Sequence, residues 1–168
     1  SMGGTVESIC VIPGENQDEL WMIVKRTING ETKRYIEVMA DFDFGGEIEG
    51  AYFVDCGITY DDDPATIIPG LNHLEGEEVA ILADGVVQEK QTVTGGMITL
   101  ETAASKVHVG LPKRAYIQPL DLIEGSVEGT GQGKQKKIHN VALSLYQTTG
   151  GKIGTDEKNM EDIKYPDG

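Results

Sequence analysis

The sequence predicts an all-β fold that includes a small β-barrel. Glycine is abundant, with 22 residues in a chain of 168, and aromatic residues make up only 6%. Short apolar runs are separated by the dipeptides Asn29-Gly30, Asp84-Gly85 and Gly95-Gly96. Such turn signals at this density favour many short strands over helices, because these residues tolerate the positive φ angles of hairpin turns.

Composition excludes several classes of protein. The formal net charge of −14 disfavours a general nucleic-acid binder and a protein of anionic membrane surfaces, because both need a basic surface. No stretch approaches the roughly 20 apolar residues of a membrane-spanning helix, and no apolar signal-peptide core follows a basic start. We therefore expect a soluble protein that is made inside the cell and has no membrane partner.

After a short N-terminal segment, changes in composition divide the chain into three regions. Residues 1–4, Ser-Met-Gly-Gly, resemble an expression-vector remnant. We expect strands and a hairpin in residues 5–50, the small barrel in residues 51–120, and a loop with one or more returning strands in residues 121–168. The boundary near residue 50 rests on DFDFGGEIEG, an acidic, Gly-rich break without a clean period.

The first region reads as a strand followed by a hairpin. VESICVIP alternates as a strand does, and Asn29-Gly30 predicts a tight type I′ turn. Pairing outward from the turn places four apolar residues on one face of the hairpin: Trp21, Ile23, Ile36 and Val38.

The same pairing sets basic residues against each other. Lys25 is expected opposite Arg34, and Arg26 opposite Lys33, although like charges in opposed positions are unfavourable. The favoured interpretation is a solvated hairpin tip. The alternative is a basic cluster that meets an acidic neighbour.

The second region contains at least five candidate strands: AYFVDCGITY, ATIIPG, EEVAILADG, VVQEKQTVTGGMITL and KVHVGLPKRAYIQPL. Short strands at even spacing favour a small barrel, because closing a sheet removes its exposed edges. We expect Val79, Ile81 and Ala83 to fill the interior of this barrel. A solvated entry turn is expected to hold three acids: Glu75, Glu77 and Glu78.

The third region is less regular. EGSVEGTGQGKQKK predicts a loop, and IHNVALSLY shows strand alternation with Val141, Leu143 and Leu145 on one face, although it is short enough to be helical. The final residues, 165–168 (Tyr-Pro-Asp-Gly), form a turn signature. We therefore expect the chain to be an excised piece of a longer protein.

Nucleophilic catalysis would require a cysteine or serine beside a histidine. Cys56 could meet His73 or His108 in a barrel, but the sequence has no nucleophile-elbow pattern and no obvious orienting residue. His108 is expected to point outward from a strand, and His139 has no candidate partner. Cys10 and Cys56 lack metal spacing and are expected to be buried thiols rather than a disulfide. We expect no catalytic residue.

Metal and nucleotide sites are not indicated either. His73, Glu75 and Glu78 are close in sequence without helical spacing. The run 61–64, Asp-Asp-Asp-Pro, lacks the ligand spacing of a helix–loop–helix calcium site and is expected to be a turn. GTGQGK lacks the frame of a phosphate loop. We therefore predict no metal site and no cofactor.

Aromatic side chains could form a platform that stacks on sugars. The candidates are dispersed in the sequence, so packing in the core is the favoured interpretation. They are Trp21, Tyr52, Tyr60 and Tyr116.

Five stretches follow one another along most of the chain: SICVIPGENQDELWMIVKRTINGETKRYIEVM, YFVDCGITY, PATIIPGLNHLEGEEVAILADG, VTGGMITLETAASKVHVGLP and HNVALSLYQTTGGKIG. Together they resemble the central part of the tail nozzle (tail tubular) proteins of short-tailed bacteriophages and related prophages. The resemblance runs from about Val6 to Gly154, and its most specific elements are DELWMIVKRTING, GLNHLEGEEVAILADG and ASKVHVGLP. These motifs are structural, so the resemblance implies no catalytic residue.

The resemblance implies a much longer protein, similar to a β-propeller with an inserted small β-barrel, that forms a ring through which DNA leaves the tail. It implies that Val6–Met39 supplies propeller strands, that Ala51–Leu120 is the insertion, and that Val141–Tyr146 returns to the propeller. The expected fold class is therefore all-β, a partial propeller-like antiparallel sheet with an inserted small β-barrel.

The leading hypothesis for function is a structural, non-enzymatic component of the virion tail, made in the host cytoplasm. Expected partners are other tail proteins, with a homo-oligomer formed by the full-length protein. DNA would pass without tight binding, because like charge repels it from an acidic wall. The alternative is a tail binding module for a host-surface glycan or another tail protein. A third hypothesis, an enzyme, requires Cys56 within about 4 Å of a histidine side chain.

Overall fold

A computed structural model describes residues 3–14, 17–41, 44–120, 125–126, 129–130, 140–145, 148 and 150–164. The chain divides into two compact units, Ser1–Ile117 and Gln118–Gly168. Their described elements are antiparallel strands and two short 3₁₀ segments, Ile48–Gly50 and Asn72–Leu74. The predicted all-β class is confirmed. No helix in these described ranges is long and apolar enough to cross a membrane.

The first sheet has three antiparallel strands in chain order: β1 (Gly4–Ile12), β2 (Glu19–Ile28) and β3 (Glu31–Val38). Asn29 and Gly30 join β2 to β3 with φ angles of 49° and 77°, as a type I′ turn requires. The predicted register is confirmed, with Trp21 opposite Val38 and Ile23 opposite Ile36.

The two faces of this sheet differ in burial near the turn. Val24, Arg26 and Ile28 alternate along β2 and are buried, and Ile28 belongs to the core of the second sheet. Away from the turn the sheet loses this cover, and both faces of it expose large apolar residues. These are Val6, Ile9, Val11, Ile12, Ile23, Ile36, Val38 and Met39.

The second sheet consists of β4 (Val54–Ile68), β5 (Glu78–Ala83), β6 (Val86–Thr92) and β7 (Ile98–Pro112), in the spatial order β4-β7-β5-β6. Backbone pairs among the described residues do not close this sheet into the predicted barrel. However, the amide of Gln91 on β6 bonds both backbone groups of Thr99 on β7, at 2.8 Å to the carbonyl and 3.3 Å from the N–H. At this position the Gln91 side chain takes the place of the backbone hydrogen bonds that would join β6 to β7 in a closed barrel.

The turns of the second sheet follow the sequence prediction. Asp84 and Gly85 join β5 to β6 with φ angles of 46° and 76°, and Gly95 and Gly96 join β6 to β7 with 64° and 70°. Val79, Ile81 and Ala83 are buried, as predicted. They share one core with ten other residues: Ile28, Ile68, Leu71, Leu74, Val93, Ile98, Leu100, Ala104, Val107 and Val109.

The acidic run 61–64 does not form the predicted turn. It lies within the continuous strand β4, where the register with β7 shifts between Asp61 and Ala65. Pro64 is tolerated there because β4 is an outer strand of the sheet and the pairing is irregular. At the start of the same strand Val54 pairs with Pro112, so the points where the chain enters and leaves the second sheet lie side by side.

The second unit contains two small antiparallel pairs, β8 (Gly125–Ser126) with β9 (Gly129–Thr130) and β10 (Lys152–Gly154) with β11 (Met160–Asp162). The strand expected at 141–146 is not formed in its described part, 141–145, where Val141, Leu143 and Leu145 are about half exposed. Its alternation has no backbone partner there, and strand alternation does not create a strand without one. Tyr146, His139 and the final turn 165–168 lie outside the described residues.

Candidate interaction site between the first and second sheets

A cavity of about 1130 Å³ lies within the first unit, between the first and second sheets. One wall is residues 35–41, at the end of β3, and another is residues 52–57, which lead into β4. Arg26, His73 and His108 also line it. Its volume is slightly above the range of ordinary ligand pockets, so it is a candidate site for another molecule.

A buried ion pair forms the floor of the cavity. Arg26 donates from Nε to Glu37 Oε1 at 2.6 Å and from Nη2 to Oε2 at 2.7 Å. The Arg26 side chain is 1% exposed and that of Glu37 is 15% exposed. The hydrogen bonds to Glu37 raise the pKa of Arg26, against the opposing effect of burial. The carboxylate therefore compensates the charge that β2 buries.

One nitrogen of Arg26 lacks an acceptor. Its Nη1 is buried and has no hydrogen-bond partner in the described structure. Buried polar groups without partners are rare and destabilising. Arg26 is one of the residues that line the cavity, but this nitrogen itself is buried.

The remaining basic residues of the hairpin also meet acids. Glu7 on β1 accepts from Arg34 Nε at 2.6 Å and lies 3.8 Å from Lys25 Nζ. The hydrogen bond from Arg34 lowers the pKa of Glu7. The predicted opposition of Lys25 to Arg34 and of Arg26 to Lys33 is confirmed. The solvated-tip interpretation is wrong for Arg26. Lys25, Lys33 and Arg34 are exposed as that interpretation expects, and Lys25 and Arg34 also meet an acidic neighbour, Glu7, as the alternative expects.

Cys56 lies on the cavity wall as a thiol that resists ionisation. Burial raises its pKa to about 12, and nearby Glu37 acts in the same direction. Its φ angle of 51° is unusual for a residue other than glycine and coincides with the register shift after Asp55. Cys10 and Cys56 are free thiols, but Cys10 is exposed and Cys56 is partly buried, so the expectation of two buried thiols is wrong for Cys10.

Both described histidines use Nε2 on backbone carbonyls. His73 donates to the carbonyl of Cys56 and His108 to that of Glu49, each at 2.9 Å. His108 Nδ1 also accepts from the Thr59 hydroxyl at 2.8 Å. His108 is buried, not outward as expected, because these bonds satisfy its ring inside the protein. His73 thus contacts the carbonyl of Cys56 and holds the backbone there.

Of the aromatic candidates, Tyr52 lines the cavity, packed edge-on against His108 with ring centroids 5.3 Å apart. Burial raises the pKa of Tyr52 to about 12. Tyr60 packs against the core, whereas Tyr116 is exposed and Trp21 lies on the far face of the hairpin. The structure does not bring the four together into one platform.

Two of the three acids of the entry turn, Glu75 and Glu77, bond to backbone groups. Glu75 accepts from the N–H of Gly95 at 3.0 Å and of Gly96 at 2.7 Å. Glu77 accepts from the N–H of Asn29 at 2.6 Å, which fixes the hairpin turn to the second sheet. Glu78 instead pairs with Lys90. Glu75 and Glu77 therefore hold the turns between strands in place.

The candidate metal ligands have separate partners. His73, Glu75 and Glu78 bond to Cys56, to the Gly95-Gly96 turn and to Lys90, respectively. Within the described ranges no group of three or more His, Cys, Asp or Glu side chains is arranged to hold a metal ion. These residues are close in sequence, but each one contacts a different part of the structure.

Comparison with known proteins adds no relative. Neither a scan against protein-family models nor a search of curated proteins found a match to this chain.

The sequence contains a pattern that places Arg26 in the interior, although the basic residues around it favoured an exposed position. Arg26 lies between Val24 and Ile28 in a period-2 alternation whose other members are buried. That spacing places Arg26 on the inward face of the hairpin. Glu37 on β3 lies on the same face, four residues beyond Lys33, the residue that pairs with Arg26. The cavity itself has no such local signal, because it depends on how two sheets meet.

Proposed function

We propose that this chain is a structural part of a bacteriophage tail, of the tail nozzle kind, and acts by assembly and shape without catalysis. The observation that carries the proposal is the incomplete first sheet. Its exposed apolar residues include Ile36, which is 74% exposed, and Ile9, which is 62% exposed. The second sheet covers the first sheet only near the hairpin turn, and exposed apolar surface of the kind found away from the turn marks an interaction site.

The second region supports the insertion part of the proposal. Val54 and Pro112 pair, so the chain leaves and re-enters the second sheet at one point. An inserted domain needs this arrangement. A propeller-like body would then supply the strands that continue the first sheet, and the four-stranded sheet, bridged by Gln91, would be the barrel-like insertion.

The state of the cavity groups favours a role without chemistry. A thiol whose pKa is raised to about 12 is almost wholly protonated at neutral pH, and the thiolate is the reactive form. The Nε2 atoms of His73 and His108 already donate hydrogen bonds to backbone carbonyls. Neither group is prepared for nucleophilic catalysis.

Labelling of assembled particles tests the proposal. An antibody raised against the chain would be applied to intact virions from the phage or prophage that encodes it, and viewed by immunogold electron microscopy. We expect gold at the tail and the protein in purified particles by mass spectrometry. Particles that lack the protein, or gold on the capsid alone, would contradict the proposal.

A second candidate function is a tail binding module, and the cavity with Tyr52 in its wall favours it. For a glycan, the test is an array of host-surface glycans probed with the labelled chain. Several related hits that a free methyl glycoside displaces would support glycan recognition. If no glycan on the array binds, recognition of another tail protein would be the remaining version of this second candidate function.

A further inference from the structure

One face of the first sheet is apolar and open. Pairing sets Trp21 beside Val38 and Ile23 beside Ile36, and residues opposed across strands lie on the same face. This outer face is opposite the one that buries Arg26, because successive residues of a strand alternate between faces. Its apolar members are exposed or partly exposed: Cys10, Ile12, Trp21, Ile23, Ile36 and Val38.

The two ends of the outer face carry opposite charge. Near the hairpin turn, Lys25 lies opposite Arg34, and Glu7 pairs with both, which leaves one positive charge. At the open end, Glu19 shares the face with Trp21 by strand alternation, is exposed, and accepts from Trp21 Nε1 at 2.9 Å. The apolar residues therefore lie between a positive turn end and a negative open end.

The charge of the whole chain restricts how two copies can meet. Each copy carries −14, so most of their surfaces repel one another. On the outer face the basic residues, Lys25 and Arg34, balance the acidic ones, Glu7 and Glu19. Contact through this face therefore brings together two surfaces that are apolar at the centre and have no net charge.

The order of these charges also selects an orientation. In a two-fold pair, one surface contacts the same surface of the partner. When the axis lies between the sheets and across the strands, strand direction reverses, so each turn end lies over the partner's open end. An axis along the strands would instead set turn end on turn end, and like charge on like charge, which is unfavourable.

We propose that the outer face packs on the outer face of a second copy of this chain, in the two-fold orientation that sets Lys25 of each copy against Glu19 of the other. The two sheets form a sandwich about 10 Å thick. Ile36 then lies over the partner's Val38, and Trp21 over the partner's Ile23. The inference rests on the proposed function, because it names the partner that covers this part of the assembly surface.

Sedimentation equilibrium of the whole chain tests the inference. We expect a reversible equilibrium between monomer and dimer below about 1 mM, as for a small interface. Ile36→Glu places two like charges at the centre of the dimer and should weaken it about tenfold or more. Ile9→Glu is the matched control, because Ile9 is exposed on the opposite face of the same sheet, beside Met22. It should leave the dimer unchanged.

Exchange of charge between copies tests the orientation. Glu19→Lys sets two lysines against each other at each end of the dimer, and Lys25→Glu sets two glutamates there. Each variant alone should dimerise about threefold more weakly or worse. An equal mixture of the two variants restores both pairs between unlike copies, so we expect the mixture to associate about as tightly as the parent.

Three results would overturn the inference: a chain that stays monomeric at about 1 mM, a dimer that Ile9→Glu weakens as much as Ile36→Glu, or a mixture no tighter than its separate components. Circular dichroism confirms that each variant is folded. If Ile36→Glu does not fold, the mixture decides. A chain that is present in tails but monomeric would assign the outer face to a different protein, refute this inference and leave the structural role standing.

Discussion

Arg26 lies opposite Lys33 in the hairpin, but its guanidinium bonds Glu37, four residues further along β3, through two parallel hydrogen bonds. The pair sits where the hairpin faces the second sheet, and it buries a charge that the local sequence seemed to place in solvent. This relationship fixes the inward face of the hairpin and forms the floor of the cavity.

Breaking this pair should destabilise the fold strongly. Glu37→Gln leaves the Arg26 charge without its carboxylate, and we expect the free energy of unfolding to fall by about 3 kcal/mol, as for other buried pairs that lose one partner. The double variant Arg26→Met with Glu37→Leu should lie within about 1 kcal/mol of the parent. Urea denaturation measures both. A loss below about 1 kcal/mol in Glu37→Gln would mean that the pair is not buried as described.

Glu75 and Glu78 offer a matched comparison of two glutamates three residues apart. Glu75 accepts from two backbone N–H groups of the Gly95-Gly96 turn, whereas Glu78 makes an exposed ion pair with Lys90. We expect Glu75→Ala to cost about 1–3 kcal/mol, because hydrogen bonds to charged groups are strong. Glu78→Ala should cost at most about 1 kcal/mol. Equal losses in thermal or urea unfolding would contradict this assignment.

The Gln91 side chain should hold β6 to the first part of β7. Gln91→Glu keeps an acceptor for the N–H of Thr99 but loses the donor to its carbonyl. We expect a loss of about 1–2 kcal/mol and faster hydrogen exchange at the Thr99 amide. Gln88→Glu is the control, because Gln88 makes one long bond of 3.4 Å to Val86. Unchanged exchange in Gln91→Glu would show that other contacts hold these strands together.

His108 should make stability depend on pH. Burial lowers its pKa in the folded protein, while the unfolded chain has the ordinary value of about 6.5. Below that value the unfolded state binds more protons, so stability is full above about pH 6.5 and is lost as pH falls through the folded pKa. The His108→Gln variant should lose this part of the dependence. Parallel profiles of unfolding free energy from pH 7.5 to 5 would contradict it.

Local signals in the sequence predicted much of the fold. Asn29-Gly30, Asp84-Gly85 and Gly95-Gly96 each fix a turn through backbone conformation, which depends on the residues themselves. The alternation of Val79, Ile81 and Ala83 predicted their burial for the same reason. For these turns and this strand the conformation depends on residues that are neighbours in sequence, and the prediction was correct.

Features that depend on distant contacts were missed. Backbone pairing among the described residues does not close the second sheet, and the contact of the Gln91 side chain with Thr99 follows no period in the sequence. The run 61–64 has turn composition, but pairing with β7 keeps it in a strand. His108 is buried because Glu49 and Thr59 satisfy its ring, and both are far away in the chain. Such tertiary partners override local preference.

The central claim is that the exposed apolar residues of the first sheet are covered by other strands in an assembled tail. An electron cryomicroscopy map of the tail from the phage or prophage that encodes this chain tests it most directly. The account predicts density of further β-strands beside β1 or β3, with Ile9, Ile36 and Val38 buried beneath a second layer or a neighbouring subunit. A map in which the chain is absent, or in which these residues face solvent in the finished tail, would contradict it.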